Sequence, residues 1–99
     1  MARYDYYRND TGVGFLLDVQ SDLTAGLNTR VVVPMLPESQ APRPAKRLNP
    51  VFAIGGVTHV MATQFLAAIP ASELRDFQGS LERERDAIVN ALDMLFFGF

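Results

Sequence analysis

The chain has no cysteine, and this rules out disulfides, thiolate metal sites and a cysteine nucleophile together. Tryptophan is also absent. There is one histidine, His59, so no His-rich metal site can be built. Basic charge is not in excess: the net charge is -2 at pH 7. A nucleic-acid-binding domain ordinarily carries such an excess, because phosphate neutralisation supplies most of its affinity. No apolar run approaches the roughly eighteen residues needed to span a bilayer. No basic start is followed by an apolar segment, so no signal peptide is expected. Together these absences lead us to expect a soluble, cytoplasmic protein with no cofactor and no membrane contact. No internal repeat or low-complexity tract is seen.

What is present is globular. Ninety-nine residues, 48% hydrophobic and 20% charged, suit one domain over residues 1–99 with a modest core. Arg3 to Arg8 alternates as a strand, with Tyr4 and Tyr6 on one face and Asp5 and Tyr7 on the other. Asn9-Asp10-Thr11-Gly12 is a turn signal. Phe15 to Gln20 is the second strand of an antiparallel hairpin. Ser21 to Asn28 leaves the strand, with apolar Leu23 and Leu27. Arg30 to Met35 is a third strand. Its Val31-Val32-Val33 run predicts cover on both faces, and Pro34 predicts an edge or a bulge.

Pro37 to Pro50 is the longest irregular stretch. Val51–Ile54, Gly55-Gly56 and Val57–Ala62 form the clearest hairpin, its Gly-Gly loop suited to a primed turn. Phe65, Ala67 and Ile69 suggest another strand ending at Pro70. Ser72 to Gln78 fits either an extension of that strand or a short helical turn. Five or six antiparallel strands followed by one helix make an α+β protein, its sheet curled over one core.

The helix begins near Leu81, with Gly79 as a break and Ser80 as N-cap. Glu82, Glu84 and Asp86 suit the partial positive charge of a first turn. Leu81, Ile88, Leu92 and Leu95, with Ala91, share one stripe. Then come Phe96, Phe97, Gly98 and Phe99, with Phe99 expected to carry the terminal carboxylate. Neighbouring helical residues point about 100° apart, so one core cannot take all three phenylalanines. Part of this aromatic surface is expected to face a second copy or another protein.

No enzyme constellation stands out. Gly12-Val13-Gly14 and Gly55-Gly56 lack the further glycines, lysine and helix of a nucleotide loop and read as turns. His59 has no evident orienting partner and reads as a surface or packing residue. Asp18, Ser21 and Asp22 could form a weak metal site, but Ser21 and Asp22 more readily bond local backbone. Arg43, Lys46 and Arg47 form a basic stretch in a Pro-rich loop, where such charges are usually solvated.

Several stretches in combination resemble a known family. Leu17 to Leu23, Val33-Pro34-Met35, Leu48 to Val51, Ile54-Gly55 and Asn90 to Phe99 are similar to the CcdB toxins of toxin–antitoxin modules. The Pro37 to Arg47 loop matches poorly. The resemblance implies a five-stranded antiparallel sheet, a smaller three-stranded sheet and one C-terminal helix, related to SH3-like barrels. It implies a homodimer with the two terminal helices near the two-fold axis. It implies a non-enzymatic toxin that binds the DNA gyrase A subunit, poisons the topoisomerase on cleaved DNA and is neutralised by a partly disordered antitoxin. Toxin and antitoxin together would repress their own operon. Phe97, Gly98 and Phe99 match the family's poison triplet, which has Trp where Phe97 stands. Asp93 stands where the family has Asn, and Leu23 keeps an apolar contact position beside Thr24. Phe96 completes the expected gyrase-binding set. A ribonuclease toxin of the same fold superfamily is the alternative in another class. A member that only binds antitoxin is the third reading.

Overall fold

The computed structural model describes residues 1–99. Strands β1 (Asp5–Arg8) and β2 (Phe15–Asp18) form the first antiparallel hairpin, with Tyr6 opposite Leu17 and Arg8 opposite Phe15. β1 starts later than its alternation suggests because Tyr4 adopts φ 77°, a left-handed turn that strands do not tolerate. Tyr4 still joins its neighbours: its N–H donates to the Asp18 carbonyl and its carbonyl accepts from Leu81 N–H. The tyrosines divide between the two faces as expected, with Tyr4 on the same side as Tyr6. Tyr6 packs on the main core, whereas Tyr7 is buried in a second, smaller cluster.

β3 (Thr29–Pro37) is the organising strand. One edge pairs with β2. The other pairs first with β6 (Ala67–Pro70) and then with β5 (Val57–Met61). Pro34 therefore lies at neither an edge nor a bulge. Its carbonyl accepts from Ala62 N–H, and a strand residue's N and C=O point to the same side. The missing donor thus falls at the junction between the two partners, where β6 pairing has ended at Val32 and β5 pairing begins at Met35.

β4 (Val51–Ile54) and β5 form the predicted hairpin. Gly55 and Gly56 have φ 60° and 78°, the two positive values a type I′ turn requires. Ala71–Glu73 is a short 3-10 turn and β7 (Phe77–Ser80) follows it, so the ambiguous segment contains both a helical turn and a new strand. β7 pairs with β1. Gly79 does not break the chain before the helix. It lies opposite Tyr6, where a Cβ would come within 2.8 Å of the Tyr6 hydroxyl.

The order β4-β5-β3-β2-β1-β7, with β6 also on β3, makes one connected antiparallel sheet of seven strands. The larger and smaller sheets implied by the resemblance are joined through β3. Helix α1 (Arg85–Phe97) closes the concave side. Leu17, Val33, Met35, Met61, Leu81, Ile88 and Ala91 form the centre of the core there. Burying Ile88 alone stabilises the fold by about 1.5–3 kcal/mol. Tyr7, Val32 and Leu74 form the smaller cluster, so the valine run is covered on both faces. No helix is long and apolar enough to cross a membrane.

Candidate functional site

The most distinctive surface lies at the end of α1. A 3-10 turn at Glu82–Glu84 precedes the helix, and the Ser80 hydroxyl accepts from Glu82 N–H at 3.1 Å. Ser80 thus caps this turn from the end of β7, rather than capping α1 itself. Ile88 and Ala91 are fully buried and anchor the helix. Leu92 and Leu95 are half-buried, so the apolar stripe thins toward the end. Gly98 ends the helix at φ 78°, its N–H shared between the Asp93 and Met94 carbonyls. A left-handed cap of this kind favours glycine.

Phe96, Phe97 and Phe99 are 60%, 67% and 73% exposed. The expectation that one core cannot hold them is met. The rings of Phe97 and Phe99 lie 6.0 Å apart, tilted by 33°, and present a two-ring face across Gly98. No lysine or arginine follows Arg85, and none lies in the last turn. Asp93, one turn before Phe97, is the charged side chain nearest the phenylalanines and is half-buried. An aromatic face with carboxylate and no cation is complementary to an arginine-bearing surface.

Leu23 is the most exposed large apolar residue, at 97%. It sits on a 3-10 turn, Asp22–Thr24, capped by the Ser21 hydroxyl accepting from Leu23 N–H. It lines a cleft of about 380 Å³ with Arg3, Tyr4 and Glu82. Glu82 precedes the helix, so Leu23 stands by the end opposite to the phenylalanines. Within one chain the structure groups Asp93, Phe96, Phe97, Gly98 and Phe99, and it sets Leu23 apart.

Asp18, Ser21 and Asp22 do not form a metal site. Asp22 Oδ1 accepts from Arg3 N–H at 2.8 Å, and Ser21 caps its own turn. Asp18 is wholly buried and faces Arg30 in a two-pronged contact: Nε to Oδ2 and Nη2 to Oδ1, each at 2.9 Å. No group of three His, Asp or Glu side chains converges to hold a metal ion. Sequence reasoning missed this ion pair. Asp18 and Arg30 come together only because β2 and β3 adopt a particular register. Beside them, burial holds the Tyr7 phenol above its ordinary pKa, with Asp5 and Asp18 adding to the effect and Arg30 opposing it. His59 is a packing residue, 5% exposed, with Nδ1 bonded to the Val57 carbonyl and its ring against Phe15.

A family model described as CcdB protein matches residues 3–98. The chain belongs to the CcdB family. It is therefore a toxin-family protein of toxin–antitoxin systems. Two solved structures share the fold. One is an endoribonuclease from mycobacterial species, with TM-score 0.75, 18% identity, and coverage of 95% of this chain and 88% of that one. The other is an endoribonuclease in complex with its cognate antitoxin, also mycobacterial, with TM-score 0.75, 17% identity, and coverage of 95% and 92%. At these identities the likeness is one of fold.

Proposed function

We propose that this CcdB-family toxin binds the DNA gyrase A subunit through the aromatic end of α1 and holds the enzyme on cleaved DNA. It acts by binding and not by catalysis, in the cytoplasm, and a cognate antitoxin neutralises it. The observation that carries this reading is the exposure of Phe96, Phe97 and Phe99 on a helix whose other end is locked into the core. Covering one such ring fully is worth about 1.5–3 kcal/mol, so three of them can anchor a partner. Phe97 offers a π face to an arginine, more weakly than Trp because cation–π attraction is strongest with the indole. The acting form is a homodimer that presents two aromatic ends. Leu23, remote from the phenylalanines of its own chain, joins the contact from the second protomer.

The test uses purified protein, gyrase, ATP and supercoiled plasmid, followed by protein denaturation. Linear DNA that disappears when Phe97–Phe99 are removed supports the reading. The same linear product from a folded truncation sinks the site. The ribonuclease alternative predicts RNA cleavage by the purified protein instead. In this chain it would have to work without His59, whose ring is enclosed and bonded to backbone. If neither activity is found and antitoxin still binds, the chain is a non-poisoning member.

A further inference from the structure

The irregular stretch between β3 and β4 carries three cations that no ion pair engages. No Asp or Glu occurs between Glu38 and Glu73, and Arg43, Lys46 and Arg47 are the lysines and arginines of that stretch. With a net charge of -2 for the whole chain, the rest of the protein carries -5. The ion pairs of the structure are Arg8–Asp76, Arg30–Asp18 and Arg75–Asp10, and none involves this loop. Residues 43–47 are all exposed.

The loop is nevertheless built with care. Asn49 is 5% exposed and is its keystone. Asn49 Oδ1 accepts from Ala45 N–H at 3.0 Å, and the Ala45 carbonyl accepts from Asn49 N–H at 3.0 Å. Asn49 Nδ2 donates to the Met61 carbonyl at 3.0 Å and to Gln64 Oε1 at 2.7 Å. The buried Thr63 hydroxyl donates to the Leu48 carbonyl. Arg47 is held at φ 68°, a conformation an L-residue adopts at a cost of about 1–2 kcal/mol. Two exposed apolar residues lie close in the chain to Asn49 and Gln64, which hold this loop. Val51, 44% exposed, opens β4, the terminal strand of the sheet, and Phe65, 50% exposed, follows the Gln64 that Asn49 holds.

We infer that the Arg43–Arg47 loop, with Val51 and Phe65, is a preformed docking surface for an acidic segment of another polypeptide that also carries apolar side chains. Fixing the backbone that carries the three cations lowers the entropy lost when they are engaged. Charge complementarity selects the acidic partner. A nucleic-acid strand fits less well. Its affinity depends on many phosphate contacts, whereas this loop offers three cations on a chain whose remaining residues sum to -5. This surface is independent of the gyrase contact and stands or falls without it.

The probe is a labelled peptide of alternating Glu and Leu, followed by fluorescence anisotropy against the full chain. Saturable binding is expected, weakened as salt rises from about 50 to 300 mM. The triple variant Arg43→Gln, Lys46→Gln, Arg47→Asn should lose about tenfold or more in affinity. Its melting temperature should be unchanged, since asparagine tolerates the left-handed backbone. A second triple variant, Arg8→Gln, Arg75→Gln, Arg83→Gln, removes the same charge elsewhere and should bind the peptide within about twofold of the unaltered chain. Absence of peptide binding overturns the inference. So does equal weakening in both variants, which would report overall charge and not the loop. Tighter binding of an oligothymidylate than of the peptide overturns it in favour of nucleic acid.

Discussion

Removing the Asp18 carboxylate should be among the most damaging single changes to this protein, while removing both members of its pair should be mild. The side chains of Arg30 and Asp18 are 2% and 0% exposed, with Nη2 to Oδ2 at 2.7 Å. Asp18 Oδ1 also accepts from Gln20 N–H, and Arg30 Nη2 donates to the Gln20 carbonyl at 3.3 Å. Asp18→Asn keeps the shape and leaves a guanidinium buried without its countercharge. Breaking a buried pair in this way costs about 3–5 kcal/mol. For a domain of this size about 1 kcal/mol moves the melting temperature by roughly 4–8 °C, so a fall of at least about 12 °C is expected. Arg30 Nη1 is already buried without a partner, so the native pair is itself incompletely compensated. The double variant Asp18→Leu, Arg30→Met should therefore recover most of the loss, ending within about 1 kcal/mol of the starting stability or above it. Urea and thermal unfolding of the two single variants and the double variant form the cycle. All are run at one protein concentration, because association would shift each midpoint. An Asp18→Asn cost below about 1 kcal/mol, or a double variant as unstable as the two single losses added, refutes the reasoning.

The remaining predictions concern the aromatic end, alkaline pH and the first turn. Phe97→Ala should cost about 2 kcal/mol or more of gyrase binding, roughly thirtyfold, with no change in unfolding midpoint because the ring is 67% exposed. Phe97→Trp should strengthen binding, and titration calorimetry against the gyrase A subunit reads both. The Tyr7 pKa is raised in the folded state, so the fold favours its neutral phenol. The resulting stability is complete below the unfolded value of about 10 and is lost as pH rises through the folded value. Thermal unfolding at pH 8 and about pH 11 should show a smaller alkaline loss for Tyr7→Phe than for the unaltered chain. Gly14 has φ 77° and a Cβ there would run into the Met35 carbonyl, so Gly14→Ala should cost more than about 1–2 kcal/mol in urea unfolding. Gly26→Ala, with open space around it, should be neutral within about 0.5 kcal/mol.

The residues that announced themselves in the chain did so through local chemistry. Gly55-Gly56 determined a primed hairpin turn, because only residues free to take positive φ close a two-residue loop with the right twist. The valine run at 31–33 determined a strand with both faces covered. The spacing of Ile88 and Ala91 determined a buried helical stripe, and the crowding of Phe96, Phe97 and Phe99 around Gly98 determined that aromatic surface must face outward. These follow from backbone sterics and the 3.6-residue period, which act within a few residues.

What needed the tertiary structure depends on register and on partners distant in the chain. That Gly79 makes room for Tyr6 follows from β7 pairing with β1, between residues more than seventy positions apart. That Pro34 fits inside the sheet follows from β3 exchanging one neighbour for another at that point. Asp18 seemed a candidate metal ligand beside Asp22. It is Arg30's counter-ion because β2 and β3 bring the two side chains together on one face, and a one-residue slip would have sent them to opposite faces. Asn49, an ordinary loop residue by sequence, holds the basic loop because Met61 and Gln64 are brought beneath it. Leu23 was grouped with the phenylalanines by resemblance, and the fold of one chain places it near the far end of the helix. Local conformation is a property of neighbouring residues. Which side chains meet is set by closure of the sheet, and no short stretch of sequence carries that information.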